Sequence, residues 1–187
     1  PDGAAVGCFC ESDAVYDSFD DGDFARHAEG SGCVYDNRTQ RNAIRKIKVK
    51  HDGEYLCFLL RTKQPVTPYD GTGSWMRLYL NTTGGQGYQF VLNTHPAPDG
   101  TTTLARVTGT DDDLTAADLP DVAAFYEADG DKFKIKVPLR ALGLDPDGFT
   151  VWFKAADSRE PIASVEDFYD KGDVAPLGRM NFVYKGK

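Results

Sequence analysis

The stretch from Trp75 to Asn93, WMRLYLNTTGGQGYQFVLN, limits what the chain can fold into more than any other. Met76, Leu78 and Leu80 alternate with Trp75, Arg77 and Tyr79. After the glycine-rich break from Asn81 to Gly87, Tyr88, Phe90 and Leu92 alternate with Gln89, Val91 and Asn93. A period of two belongs to a strand with two unlike faces. Two such runs about a glycine loop predict an antiparallel hairpin. No nucleophile in the stretch has a base beside it, so it reads as a surface rather than a reaction centre.

The same period recurs along the chain. Ile47 and Val49 alternate with lysines as far as the turn His51-Asp52-Gly53, which predicts a half-exposed strand. The next run, YLCFLLR at 55–61, is apolar on both faces, as a central strand of a covered sheet would be. Beyond the turn Asp129-Gly130-Asp131, Phe133, Ile135 and Val137 share one face while Lys132, Lys134 and Lys136 share the other. Further strands are expected at 14–19, 33–36, 101–108, 149–154 and 180–184, with one helical turn over 138–144 closed by Gly143. About nine or ten short strands at steady spacing predict an all-β fold, an antiparallel β-sandwich of immunoglobulin-like or jelly-roll-like form. The 187 residues suffice for one core, so residues 1–187 are read as a single module with 1–13 as an extension or linker.

Charge narrows the partners. With 21 basic and 29 acidic residues the net charge is −8. No basic stripe is evident, which argues against nucleic acid and anionic membrane surfaces. No apolar run approaches the roughly 18–20 residues that span a bilayer, so no membrane insertion is expected. The chain opens on Pro1-Asp2-Gly3 with no Met and no visible signal peptide, which suggests an excised piece of a longer or processed protein. Cys8, Cys10, Cys33 and Cys57 fit no zinc spacing. One or two disulfides in an oxidising compartment, or buried thiols, both fit, and Cys57 lies in an apolar strand.

Seven segments in order carry a family resemblance: NRTQRN at 37–42, HDGEYL at 51–56, WMRLYLN at 75–81, GYQFVLN at 87–93, VPLRALGL at 137–144, DFYDKGDVAP at 167–176 and GRMNF at 178–182. Together they resemble the sugar-binding sandwich family called carbohydrate-binding module family 9-like, within the wider DOMON-like group, over roughly residues 14–185. The resemblance implies a non-catalytic accessory module of a secreted bacterial glycoside hydrolase. Its expected place is extracellular or at the cell surface, and its expected partners are an oligosaccharide or polysaccharide and a neighbouring catalytic domain. Two departures stand out: Asn81-Thr82-Thr83 where relatives commonly read Asp-x-Asp, and Ala43 in place of an acidic residue. Some DOMON relatives hold haem through a Met and a later His. Met76 sits on a suitable strand, but His27, His51 and His95 all precede residue 96, so no haem is expected.

For sugar binding the candidates are Tyr69, Trp75, Arg77, Tyr79, Phe168, Tyr169 and Arg179. Flat rings in or beside loops stack on pyranose C–H faces at low ordering cost, and arginines supply hydrogen bonds. The alternative is that Trp75 and Tyr79 cover a core or sheet face; Trp152 is read as core. Asp20, Asp21 and Asp23 in a glycine turn are candidate oxygen ligands for calcium, although a solvated turn accounts for them too and their spacing is not that of an EF-hand loop. No motif marks a glycosidase carboxylate pair. The rival reading from another class is a structural, protein-contact appendage that stabilises a neighbouring catalytic domain.

Overall fold

The computed structural model describes residues 14–18, 24–27, 34–37, 41–85, 87–110 and 112–187, with 24–27 and 34–37 described as backbone. Two antiparallel sheets pack face to face. The first holds β1 (Ala14–Asp17), β4 (Ile44–His51), β5 (Tyr55–Thr62), β12 (Lys132–Pro138), β11 (Ala124–Asp129) and β8 (Thr101–Thr102), in that order. The second runs β10 (Ala116–Asp118), β9 (Leu104–Val107), β7 (Phe90–Leu92), β6 (Ser74–Asn81), β13 (Phe149–Ser158) and β14 (Asp173–Ala175). β15 (Phe182–Gly186) pairs with β13 on the same side as β14, nearer the start of that strand. A separate hairpin joins β2 (Phe24–His27) to β3 (Val34–Asn37). The all-β sandwich is therefore the fold. Strands outnumber the nine or ten expected because β8, β10 and β14 have only two or three residues, too few for alternation to show. The helical turn near 138–144 is a 3-10 turn, Leu139–Leu142, ended by Gly143 in the left-handed region.

The expected hairpin is β6 with β7, in the register Leu78↔Leu92, Tyr79↔Val91 and Leu80↔Phe90. Ile47, Val49, Phe58, Leu60, Leu78, Leu80, Phe133, Ile135, Val151 and Phe153 fill the space between the sheets. Burying each such side chain contributes about 1.5–3 kcal/mol.

One interruption decides which way Trp75 points. Arg77 pairs with Ala156 and Ser74 with Ser158, so Trp75 and Met76 together oppose Asp157. This is a β-bulge, and Met76 takes a φ of 44° within it. The bulge resets the alternation: Trp75 would lie outward with Arg77 and Tyr79, but it turns into the core and is 3% exposed. Its ring meets Tyr69, Tyr126 and Phe133, and its Nε1 donates to the Thr67 carbonyl at 2.8 Å. Buried polar side chains secure the bulge. Asp157 Oδ1 accepts from the Met76 amide and from Asn42 Nδ2, while Oδ2 accepts from Arg41 Nε at 2.7 Å. Asn93 Nδ2 donates to the carbonyls of Trp75 and Met76. Burial pushes the Asp157 carboxyl upward, and Arg41 and Asn42 oppose that push.

Candidate functional site

The outer face of the second sheet carries Arg77, Tyr79, Val91, Lys154 and Ala156, and long loops fold over it. The 108–115 and 159–168 loops brace each other: Leu114 N donates to the Ala163 carbonyl at 2.8 Å and Val165 N to the Asp112 carbonyl at 3.1 Å. Asp167 Oδ2 accepts from the amides of Ala163 and Ser164, and its Oδ1 pairs with Lys171 at 2.8 Å. Burial raises the Asp167 pKa, but Lys171 and these amides outweigh it, and the carboxyl sits below its ordinary value. Thus anchored, the 3-10 turn Glu166–Phe168 drives Phe168 inward against Tyr79 and Tyr88, with ring centroids 5.0 and 5.9 Å away. A second apolar cluster results, made of Tyr79, Tyr88, Val91, Leu114, Ala156, Ile162, Phe168 and Val174.

Two hollows flank this cluster. The larger, of about 290 Å³, is lined by Gly85 and Gly87 of the β6–β7 loop, Tyr88, Asp112, Val165, Phe168, Arg179 and Asn181. Its position depends on the hairpin loop, which Asn81 wires internally. Asn81 Nδ2 donates to the carbonyls of Gly85 and Gly87, both at 2.8 Å, and its Oδ1 accepts from the amides of Thr83 and Gly84. Gly84 has a φ of 78°, and a Cβ there would come 3.0 Å from the Trp152 ring. The Tyr88 hydroxyl donates to Asn181 Oδ1 at 2.6 Å, tying this loop to the last connection. Burial raises the Tyr88 pKa, so the phenol stays a donor.

The smaller hollow, about 200 Å³, lies beside Arg77, Tyr79, Thr94, His95 and Asp118 over a floor that includes Val91, Ala105 and Ile162. His95 Nδ1 lies 3.1 Å from Asp118, which also accepts from the Thr94 hydroxyl at 3.0 Å. The Arg77 Nε and the Tyr79 hydroxyl are both buried there. Burial raises the Tyr79 pKa, with Arg77 and Ser74 opposing.

The seven sequence candidates therefore divide. Phe168 and Arg179 line the larger hollow, and Arg77 and Tyr79 the smaller. Trp75 belongs to the core, with half-buried Tyr69 packed beside it, so these two do not form a platform with Phe168. Tyr169 is half-buried against Gly178. Trp152, expected in the core, is half-buried on the outer face beside Gly84. Trp75 thus follows the core reading, while Trp152 does not. Met76 is buried in the core, and Cys57 is a buried free thiol. Asp20, Asp21, Asp23 and the other three cysteines lie outside the described residues. Among the described residues, no group of three or more His, Cys, Asp or Glu is placed to hold a metal ion.

Sequence reasoning passed over Tyr88, Asp112 and Asn181. Only Tyr88 had a signal, as an aromatic next to the glycine loop. Comparison of the chain with protein-family models, curated proteins and solved structures finds no match.

Proposed function

We propose that this chain is a non-catalytic carbohydrate-binding accessory module of a secreted, bacterial-type glycan-degrading protein, similar in kind to the family 9-like sandwiches. The larger hollow carries the reading. Over a floor formed by the buried rings of Tyr88 and Phe168, it joins Asn181, Asp112 and the exposed Arg179 to a glycine backbone that admits close approach. Sugars are bound by this mixture: apolar ring faces against C–H groups, with a few fixed polar groups for the hydroxyls. Carboxylate-driven glycoside hydrolysis uses two acids about the scissile bond. Among the described residues, Asp112 is the one carboxylate lining this hollow.

A contact of this size is expected to yield about −4 to −6 kcal/mol, or millimolar to tens of micromolar affinity. Such binding becomes useful when the module is tethered to an enzyme on polymeric substrate. A glycan array should identify the ligand. Arg179→Ala is then expected to weaken binding about ten- to a hundredfold, because one charged hydrogen bond contributes roughly 1.5–3 kcal/mol, and to leave the melting temperature unchanged. Absence of any array signal, or full affinity in the variant, would remove the assignment.

One observation favours the structural-appendage alternative. Val183 is exposed and pairs in register beside half-buried Trp152, giving a neighbouring domain an apolar footing.

A further inference from the structure

Cross-strand register on the first sheet gathers cations that the sequence holds far apart. The outer face places Lys48, Leu59 and Lys134 in one row and Lys50, Cys57 and Lys136 in the next. A third row is Lys46, Arg61 and Lys132. Lysines two apart on one strand stand about 6.5–7 Å from each other, and β4 and β12 lie about 9–10 Å apart across β5. Two lysine rails therefore border a gutter floored by Cys57 and Leu59, each 7% exposed. Burial pushes the Cys57 thiol up to about 11, so the floor brings no negative charge.

The face is not neutralised. Lys46 pairs with Asp17, Arg61 with Asp131 and Lys134 with Glu127. Lys48, Lys50, Lys132 and Lys136 make no ion pair among the described residues. Among the described residues, eight cations (these seven and Arg140) meet six carboxylates (Asp17, Asp52, Glu54, Glu127, Asp129 and Asp131), a small positive excess on a chain of net charge −8. Lys136 is also held in place: its Nζ lies 4.8 Å from the Tyr55 ring centroid and 5.4 Å from that of Phe125.

We infer that this lysine-railed face is a second binding surface, separate from the loop hollows, for an extended acidic polysaccharide bearing carboxylates or sulfates. A ribbon-like chain lying in the gutter presents successive charges to alternate edges, where the two rails meet them. Its sugar faces rest on Leu59 and the lysine stems. Nucleic acid is the other polyanion of this kind. Strand-binding proteins stack bases on free rings, whereas here Lys136 occupies Tyr55 and Phe125. The choice of a glycan over nucleic acid also rests on the carbohydrate reading above.

The test uses the whole chain against polygalacturonate, heparin, neutral dextran and a short DNA duplex, at low salt and at about 0.15 M salt. Both acidic polysaccharides should bind, more weakly at the higher salt, and dextran should not. Lys50→Glu with Lys136→Glu should weaken that binding by about tenfold or more, as reversing charges in a complementary contact does. Lys50→Gln with Lys136→Gln should give a smaller loss in the same direction, with an unchanged thermal melt showing that the fold is retained. Arg179→Ala should leave polyanion binding as it was. No retention at low salt, an unaffected Glu double variant or tighter binding to the duplex overturns the inference. So does loss of binding in Arg179→Ala, which would move the ligand to the hollow. Failure of the glycan array alone overturns the reading of that hollow and leaves the comparison with the duplex to decide between glycan and nucleic acid on this face.

Discussion

Replacing Trp75 with alanine is expected to destabilise the fold by about 3–5 kcal/mol, the range for removing a large aromatic from a packed core. The indole lies among Tyr69, Tyr126 and Phe133, and its Nε1 satisfies the Thr67 carbonyl. Truncation therefore opens a cavity where both sheets and the 64–74 loop meet, and leaves that carbonyl without its donor. For a domain of this size the melting temperature should fall on the order of 10 °C. Urea unfolding of the variant and parent measures the loss directly. A variant as stable as its parent would mean that Trp75 is not core. The same substitution at Trp152 should cost less, because that ring is half-buried and covered on one side by the Gly84 loop.

The contrast between the tryptophans shows where the sequence was legible. Alternation in β4, β6, β12 and β13 is a local signal, since inward residues must be apolar and outward ones need not be, and it read correctly as a two-sheet sandwich. The bulge at Met76 has no such signal. It is held by Asp157 and Asn93, which are buried polar residues on other strands, and nothing near Trp75 announces them. One inserted residue was enough to send Trp75 to the opposite face. Phe168 misled for a related reason. A phenylalanine in a polar loop suggests an exposed ring, but the Asp167 cap turns the loop so that Phe168 becomes floor. The larger hollow draws on residues 85–88, 112, 165–168 and 179–181, which only the folded loops bring together. The lysine rails are the opposite case. Their alternation was visible strand by strand, but their union into one positive face required the β4–β5–β12 register.

Lys154→Met is expected to stabilise the protein at and below neutral pH and to remove a pH dependence. Lys154 lies under the 159–180 loops with no solvent exposure, its Nζ over the Phe168 ring and donating to the Pro176 carbonyl. Burial lowers its pKa from 10.5 to about 7, and among the described residues no carboxylate opposes the effect. The sign follows from proton uptake. Between about pH 7 and 10.5 the unfolded chain keeps this proton while the folded chain has released it, so stability rises with pH across that window. Below pH 7 both forms are charged and the full cost of burying the ammonium remains. The lowered pKa corresponds to a cost of about 3–5 kcal/mol. Methionine keeps the unbranched shape without the charge, and losing the bond to Pro176 returns about 1 kcal/mol. At pH 6 the variant should therefore be more stable by about 2–4 kcal/mol. By pH 10 the advantage should vanish or reverse, because the folded lysine is then neutral and still hydrogen-bonded. Urea midpoints of both proteins at pH 6, 8 and 10 decide the matter, since every other titrating group is common to the two and cancels in the difference. Parallel pH profiles would show that Lys154 stays protonated in the fold across this range, with its ammonium compensated where it lies.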